Sequence, residues 1–174
     1  MALAAVLVAL TLGQAEADPA PARPAPPPVF GQDHLLAGWR PAELSDYLDT
    51  PDYDRRRASP AADLKAQADF DGDGRPDEAG LYVNPTLSEY AVVVSFATRA
   101  GPVRAFAAKG PLYELGRIAL RPAAAGRYAP VCLSASCGGE VVLKRAGLAL
   151  FTYDAAELTV WWDGAGFRGA WTRL

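Results

Sequence analysis

After Ala61, short runs rich in Val, Leu, Phe, Tyr and Trp alternate with turns built from Gly, Pro and Asp. The turns recur at spacings of roughly ten residues, which leaves room for strands but for little helix between them. This pattern predicts a mainly β fold: an antiparallel sheet, a sandwich or a partly closed barrel. The predicted strands are Leu64 to Ala68, Gly80 to Val83, Tyr90 to Thr98, Val103 to Ala107, Leu115 to Leu120, Arg127 to Leu133, Val141 to Lys144, Leu148 to Tyr153, Leu158 to Trp162 and Phe167 to Thr172.

One short helix is predicted near the start of the domain, around Pro41 to Leu48. A proline followed closely by an acidic residue, as in Pro41-Ala42-Glu43, is typical of a first helical turn. The clearest predicted hairpin joins the last two strands at Asp163-Gly164, where glycine supplies the positive φ that a tight turn requires.

Four aromatic residues lie in this last hairpin. Because side chains alternate along a strand, they cannot all share one face of the sheet. Some are therefore predicted to lie in the core and some to be exposed, where a Trp ring can stack on a sugar or contact a partner. The four residues are Trp161, Trp162, Phe167 and Trp171.

The first residues, MALAAVLVALTLGQAEADP, place an uncharged apolar run from Leu3 to Leu12 before the small-residue pattern Ala15-Glu16-Ala17. This predicts a secretory signal peptide over residues 1–17, with an uncleaved anchor as the alternative. The run is shorter than the roughly 20 residues that a membrane helix needs, so we expect no stable membrane anchor after cleavage. The predicted location is periplasmic or secreted.

Residues 18–32 are predicted to be a Pro-rich linker, since six prolines between Asp18 and Pro28 favour an extended, solvated chain. We expect one β-rich domain over residues 33–174, with enough apolar content for a sizeable core. A formal charge of −3 gives no basic field to attract phosphate, so nucleic acid is not an expected partner.

Residues 69–77 read DFDGDGRPD and place carboxylates at loop positions 1, 3, 5 and 9. Like charges this close repel by about 1 kcal/mol per pair in water. A hard divalent cation removes the repulsion, and calcium, which accepts about 6 to 8 oxygens in flexible geometry, fits better than magnesium. The predicted ligands are the side chains of Asp69, Asp71 and Asp73, the backbone carbonyl of Arg75, and Asp77 directly or through a water.

Within this loop, Gly74 permits the sharp central turn, and Phe70 is predicted to point into the core. An EF-hand would need a bidentate Glu at position 12, which here is Gly80, so the loop closes at Asp77. The segment ADFDGDGRPDEAGLYV resembles the D-x-D-x-D-G-x-x-D calcium loop of FG-GAP and VCBS-type repeats. The resemblance implies a structural calcium loop between two strands; a propeller is not expected, because it needs several such loops.

More loosely, the stretch from Gly126 to Trp171 is similar to small bacterial exported proteins that combine one such loop with a C-terminal hairpin. This resemblance implies one compact β domain and does not point to any activity.

Cys132 and Cys137 are the only cysteines, and in an oxidising compartment such a pair predicts a disulfide. His34 is the only histidine, which weighs against Ser-His-Asp and Cys-His hydrolases and against catalytic zinc sites. Catalysis by a carboxylate pair stays open, although no spacing singles out two of the acidic residues.

These patterns predict an exported, calcium-stabilised β module that binds a protein or glycan ligand without catalysis. One alternative is a small cell-wall or carbohydrate-active hydrolase, which would show two buried carboxyls facing a cleft beside an exposed Trp. Another is an inhibitor or immunity-type protein, which would show a large exposed apolar patch.

Overall fold

A computed structural model describes residues 36–47, 53–58, 63–131, 139–152 and 156–173 of the chain. Within these residues the chain is mainly β, all strand pairs are antiparallel, and the sheets do not close into a barrel. The predicted fold class is confirmed. No helix among the described residues is long and apolar enough to cross a bilayer.

The first sheet contains five strands around a central β3–β4 pair, in the order β1-β3-β4-β5. Strands β1 and β2 both pair with β3, β1 near its C-terminal end and β2 near its N-terminal end. The long middle strand β4 is apolar through most of its length, and its central residues are buried. The strands are β1 (Arg40–Pro41), β2 (Lys65–Ala68), β3 (Asp77–Asn84), β4 (Glu89–Thr98) and β5 (Gly101–Pro111).

The second sheet has the order β11-β10-β9-β6, and a separate two-stranded ribbon pairs β7 with β8. The ribbon contributes Leu143 to a small cluster with Ala123, Ala149 and Trp161, so it covers the outer face of the second sheet. The strands are β6 (Ile118–Ala123), β7 (Gly126–Tyr128), β8 (Val141–Leu143), β9 (Gly147–Thr152), β10 (Glu157–Trp162) and β11 (Phe167–Arg173).

An aromatic cluster joins the two sheets. The Phe96 ring of β4 lies 5.2 Å from the Trp162 ring and 6.0 Å from the Phe167 ring, centroid to centroid. Trp162 and Phe167 therefore face the shared core, whereas Trp161 faces the ribbon on the other side, as the alternation of side chains along a strand requires. Trp162 is buried and Trp171 is exposed, which confirms the prediction that some of these aromatic side chains lie in the core and others at the surface.

The predicted short helix is a single 3-10 turn at Leu44–Tyr47, whose Tyr47 side chain is fully buried. An α-helix, α1, at Tyr53–Ala58 was not expected from the sequence. A second unexpected 3-10 helix occupies Leu112–Arg117.

Two of the predicted strands extend into described segments that are not strand. The segment predicted as a strand from Leu115 is helical up to Arg117, because a 3-10 turn packs both Leu112 and Leu115 against the main core. The strand predicted over Arg127 to Leu133 ends at Tyr128, shortly before Pro130, which cannot donate a ladder hydrogen bond.

The aromatic cluster predicts a large cost for truncating Phe96. Phe96→Ala should lower the free energy of unfolding by about 3 to 5 kcal/mol, because it leaves a cavity between the two sheets. Leu87→Ala, in the exposed turn before β4, should change it by less than about 0.5 kcal/mol. Urea titrations that gave equal losses for the two variants would contradict this sandwich core.

Candidate metal centre

The acidic loop connects β2 to β3 at the edge of the first sheet. Its ends are fixed by strand pairing, with Ala68 directly opposite Asp77. Gly72 and Gly74 have φ values of +80° and +87°, in the left-handed region that side chains avoid. The turn predicted at Gly74 is present, and Gly72 provides a second one.

Three of the predicted ligands converge. Asp69, Asp71 and Asp77 each offer an oxygen, and these oxygens all lie within 4.8 Å of one another. Asp73 does not join this group; its carboxylate accepts a hydrogen bond from the Arg75 backbone N–H at 2.8 Å. The predicted ligand roles of Asp73 and of the Arg75 carbonyl stay predictions.

Asp69 organises the loop backbone. Its Oδ1 accepts hydrogen bonds from the N–H groups of Gly72 at 2.7 Å and Asp73 at 3.0 Å, and its Oδ2 accepts one from Gly74 at 3.0 Å. Asp71 Oδ1 accepts a further bond from Asp73 at 3.1 Å. These bonds turn the backbone N–H groups toward the carboxylates and so wrap the chain around their oxygens.

Asp77 is the buried member of the group, with only 2% of its surface exposed. Its Oδ2 accepts a hydrogen bond from the Phe70 N–H and its Oδ1 accepts one from the Ala97 N–H, both at 2.8 Å. The Phe70 side chain is itself buried in the main core, as predicted. One carboxylate therefore links the loop, the start of β3 and the end of β4.

The electrostatics of the loop favour a cation. Burial raises the pKa of Asp71, and the carboxylates of Asp77, Asp73 and Asp69 raise it further. Burial also raises the pKa of Asp77, against the opposing effect of its backbone donors. Both shifts show that negative charge is disfavoured here, which is the condition that a bound divalent ion reverses.

Arg145, in the turn between β8 and β9, is a loop contact that the sequence did not reveal. Its Nη1 donates a hydrogen bond to the backbone carbonyl of Asp71. Its side chain also lies across Gly72, where an added Cβ would be 3.2 Å from Nη1. Because Arg145 lies far along the chain from the loop, no local motif could have indicated the contact.

The other predicted site residues, Cys132 and Cys137, lie outside the described residues, so their predicted disulfide stays a prediction. The same holds for the signal peptide over residues 1–17, the linker over residues 18–32 and His34.

Comparison of the chain with family models, curated proteins and solved structures finds no match. Its function is therefore inferred from its own geometry.

Asp77 should stabilise the fold even without an ion. Asp77→Ala leaves the Phe70 and Ala97 N–H groups without their acceptor and should lower the free energy of unfolding by at least about 2 kcal/mol. Asp73→Ala removes an exposed carboxylate with a single backbone partner and should cost less than about 1 kcal/mol. Urea unfolding in EGTA measures both, and similar losses for the two variants would contradict the role given to Asp77.

The Arg145 contact predicts a smaller effect. Arg145→Met keeps an apolar stem over Gly72 but removes the donor to Asp71, so the free energy of unfolding should fall by about 0.5 to 1.5 kcal/mol. Lys144→Met, at the exposed neighbouring position, should leave it within about 0.5 kcal/mol of the parent. If Lys144→Met costs as much as Arg145→Met, the contact does not stabilise the loop.

Proposed function

We propose that this protein is an exported β module that binds calcium through its Asp69–Asp77 loop and acts by binding a ligand. The observation that carries the proposal is the convergence of Asp69, Asp71 and Asp77 around one point, with one of the three carboxylates buried. A buried carboxylate beside two others is stable when a cation completes its environment.

The donor set fits calcium. All three converging ligands are carboxylate oxygens, the donors that hard divalent cations prefer. Asp69 Oδ2 and Asp71 Oδ1 each accept one backbone N–H in the loop and keep a second lone pair that can face an ion. The loop has no regular secondary structure and is partly exposed, which suits the variable coordination of calcium better than the strict octahedron of magnesium.

The loop also has the setting expected from the FG-GAP and VCBS-type resemblance. It connects two antiparallel strands and has no flanking helix, unlike an EF-hand. When bound, calcium would neutralise the carboxylates and hold the two strand ends together. The ligands all come from one short segment, which favours a structural ion rather than a catalytic one.

Calcium concentrations outside the cytoplasm suit such a loop. Extracellular calcium modules bind with dissociation constants of about 10⁻⁴ to 10⁻³ M, well matched to a site that gathers its ligands from one loop. The signal peptide predicted over residues 1–17 is the basis for the proposed periplasmic or secreted location, and the proposed ligand is a protein or a glycan.

The test is thermal unfolding in calcium, in magnesium and in EGTA. Calcium at about 10 mM should raise the melting temperature by about 3 to 10 °C relative to EGTA, because the ion binds only the folded loop. Magnesium at the same concentration should raise it by less than half as much. Asp71→Asn should abolish the calcium effect, because it removes a ligand charge while its amide oxygen can still accept from the Asp73 N–H.

Glu78→Gln is the matched control for this charge change. Glu78 follows the loop directly and pairs with Lys65 at the surface, so its variant should respond to calcium as the parent does. An unchanged melting temperature in calcium and EGTA would reject the ion site. Turnover of a cell-wall glycan, abolished by one carboxylate substitution, would reject the binding role in favour of a hydrolase.

A further inference from the structure

A cleft of about 410 Å³ opens at one end of the space between the two sheets, far from the acidic loop. This volume lies within the range of about 300 to 1,000 Å³ that is typical of small-molecule sites. Strand β4 runs from the cleft at Tyr90 to the loop contact at Ala97, a distance of about 23 Å along an extended strand. Its lining includes Tyr90, Glu114, Arg117, Leu150, Leu158 and Trp171.

The floor of the cleft is apolar and well fixed. Leu150 and Leu158 are directly paired on β9 and β10 and extend the core toward the opening. The Tyr90 ring lies against the backbone of β5 at Gly110, where an added Cβ would be 2.5 Å from Tyr90 Cε1. Only glycine leaves room for the ring at this position.

One aromatic ring stands at the rim of the cleft. Trp171 lies opposite Leu158 in the β10–β11 register, on the edge strand of the second sheet, and 40% of its surface is exposed. An exposed indole ring therefore lies next to an apolar floor. Indole is amphipathic and rigid, so it binds the apolar face of a ring-shaped ligand at low entropic cost.

Polar groups of both signs complete the lining. Lys109 also lines the cleft, but its ammonium lies 4.0 Å from the centroid of the Phe106 ring, which is not part of the lining. Glu114 and Arg117 are three residues apart on the second 3-10 helix and so point to the same side. Neither forms an ion pair with another residue in the described part of the chain. Burial and the nearby Glu114 carboxylate raise the pKa of Tyr90 to about 12, which keeps its hydroxyl neutral.

We propose that this cleft binds a neutral saccharide, one ring of which stacks on Trp171 while its hydroxyls bond to Glu114 and Arg117. The proposal rests on the binding role proposed above. An acceptor and a donor of opposite charge suit a polyhydroxy ligand, whereas an anion would be repelled by Glu114 and a cation by Arg117. A folded protein partner needs about 800 Å² of contact on each side, and a concave site of this size suits a smaller ligand.

The experiment uses the full mature protein in calcium and three neutral probes: maltotetraose, cellotetraose and chitotetraose. Calorimetry should show saturable binding of at least one of them. Trp171→Ala and Glu114→Gln should each weaken that binding by about tenfold or more, the loss expected for a central contact. Tyr113→Ala, which removes an exposed aromatic ring of the same 3-10 helix outside the cleft, should change the affinity by less than about twofold.

Two further measurements keep the result unambiguous. Saccharide binding should protect tryptophan fluorescence from acrylamide quenching in the parent but not in Glu114→Gln, a variant that preserves the shape of the side chain. The melting shift in calcium, recorded on the same samples, tests the ion site separately.

The proposal is overturned if no probe binds, if the Trp171 and Glu114 variants bind like the parent, or if only a protein partner is captured. A calcium-dependent melting shift without saccharide binding would reject the cleft and leave the calcium-stabilised module standing. Loss of the melting shift with saccharide binding retained would reject the ion site and leave the cleft standing.

Discussion

The carboxylate of Asp77 is buried at the point where the acidic loop enters the sheet. A charge in such a place destabilises the fold unless hydrogen bonds or a cation offset its desolvation. Two backbone N–H groups, from Phe70 and Ala97, supply part of that compensation. These hydrogen bonds do not neutralise the negative charge of Asp69, Asp71 and Asp77, and the proposed cation would. Asp77 therefore links the start of the loop, the end of β4 and the proposed ion.

Much of the fold could be predicted because strand formation leaves a local signature. Alternating apolar residues and Gly-rich turns located most of the strands, and Asp163-Gly164 marked the last hairpin correctly. Helical turns were harder, since a 3-10 helix of six residues, such as Leu112–Arg117, has too few residues to show a period. Strand order was out of reach, because it depends on contacts between distant segments such as β6 and β9.

In the candidate site, too, the features within one segment could be predicted, and the contacts between distant segments could not. The converging carboxylates belong to one nine-residue segment, so their spacing alone indicated the cluster. The sequence did not show that Asp77 would be buried, nor that Arg145 would reach Asp71 from the β8–β9 turn. The sequence did not indicate the cleft either, because Glu114 and Trp171 line one cleft only once the two sheets pack together.

The proposed ion is tested most directly by crystals of the protein grown with calcium and measured for anomalous scattering. The account predicts one strong anomalous peak, about 2.3 to 2.6 Å from carboxylate oxygens of Asp69, Asp71 and Asp77. Asp77 should keep its bonds to Phe70 and Ala97 in that structure. A calcium concentration of about 10 mM is well above the dissociation constants of about 10⁻⁴ to 10⁻³ M that are typical of extracellular sites. A loop without an anomalous peak at that concentration would contradict the central claim.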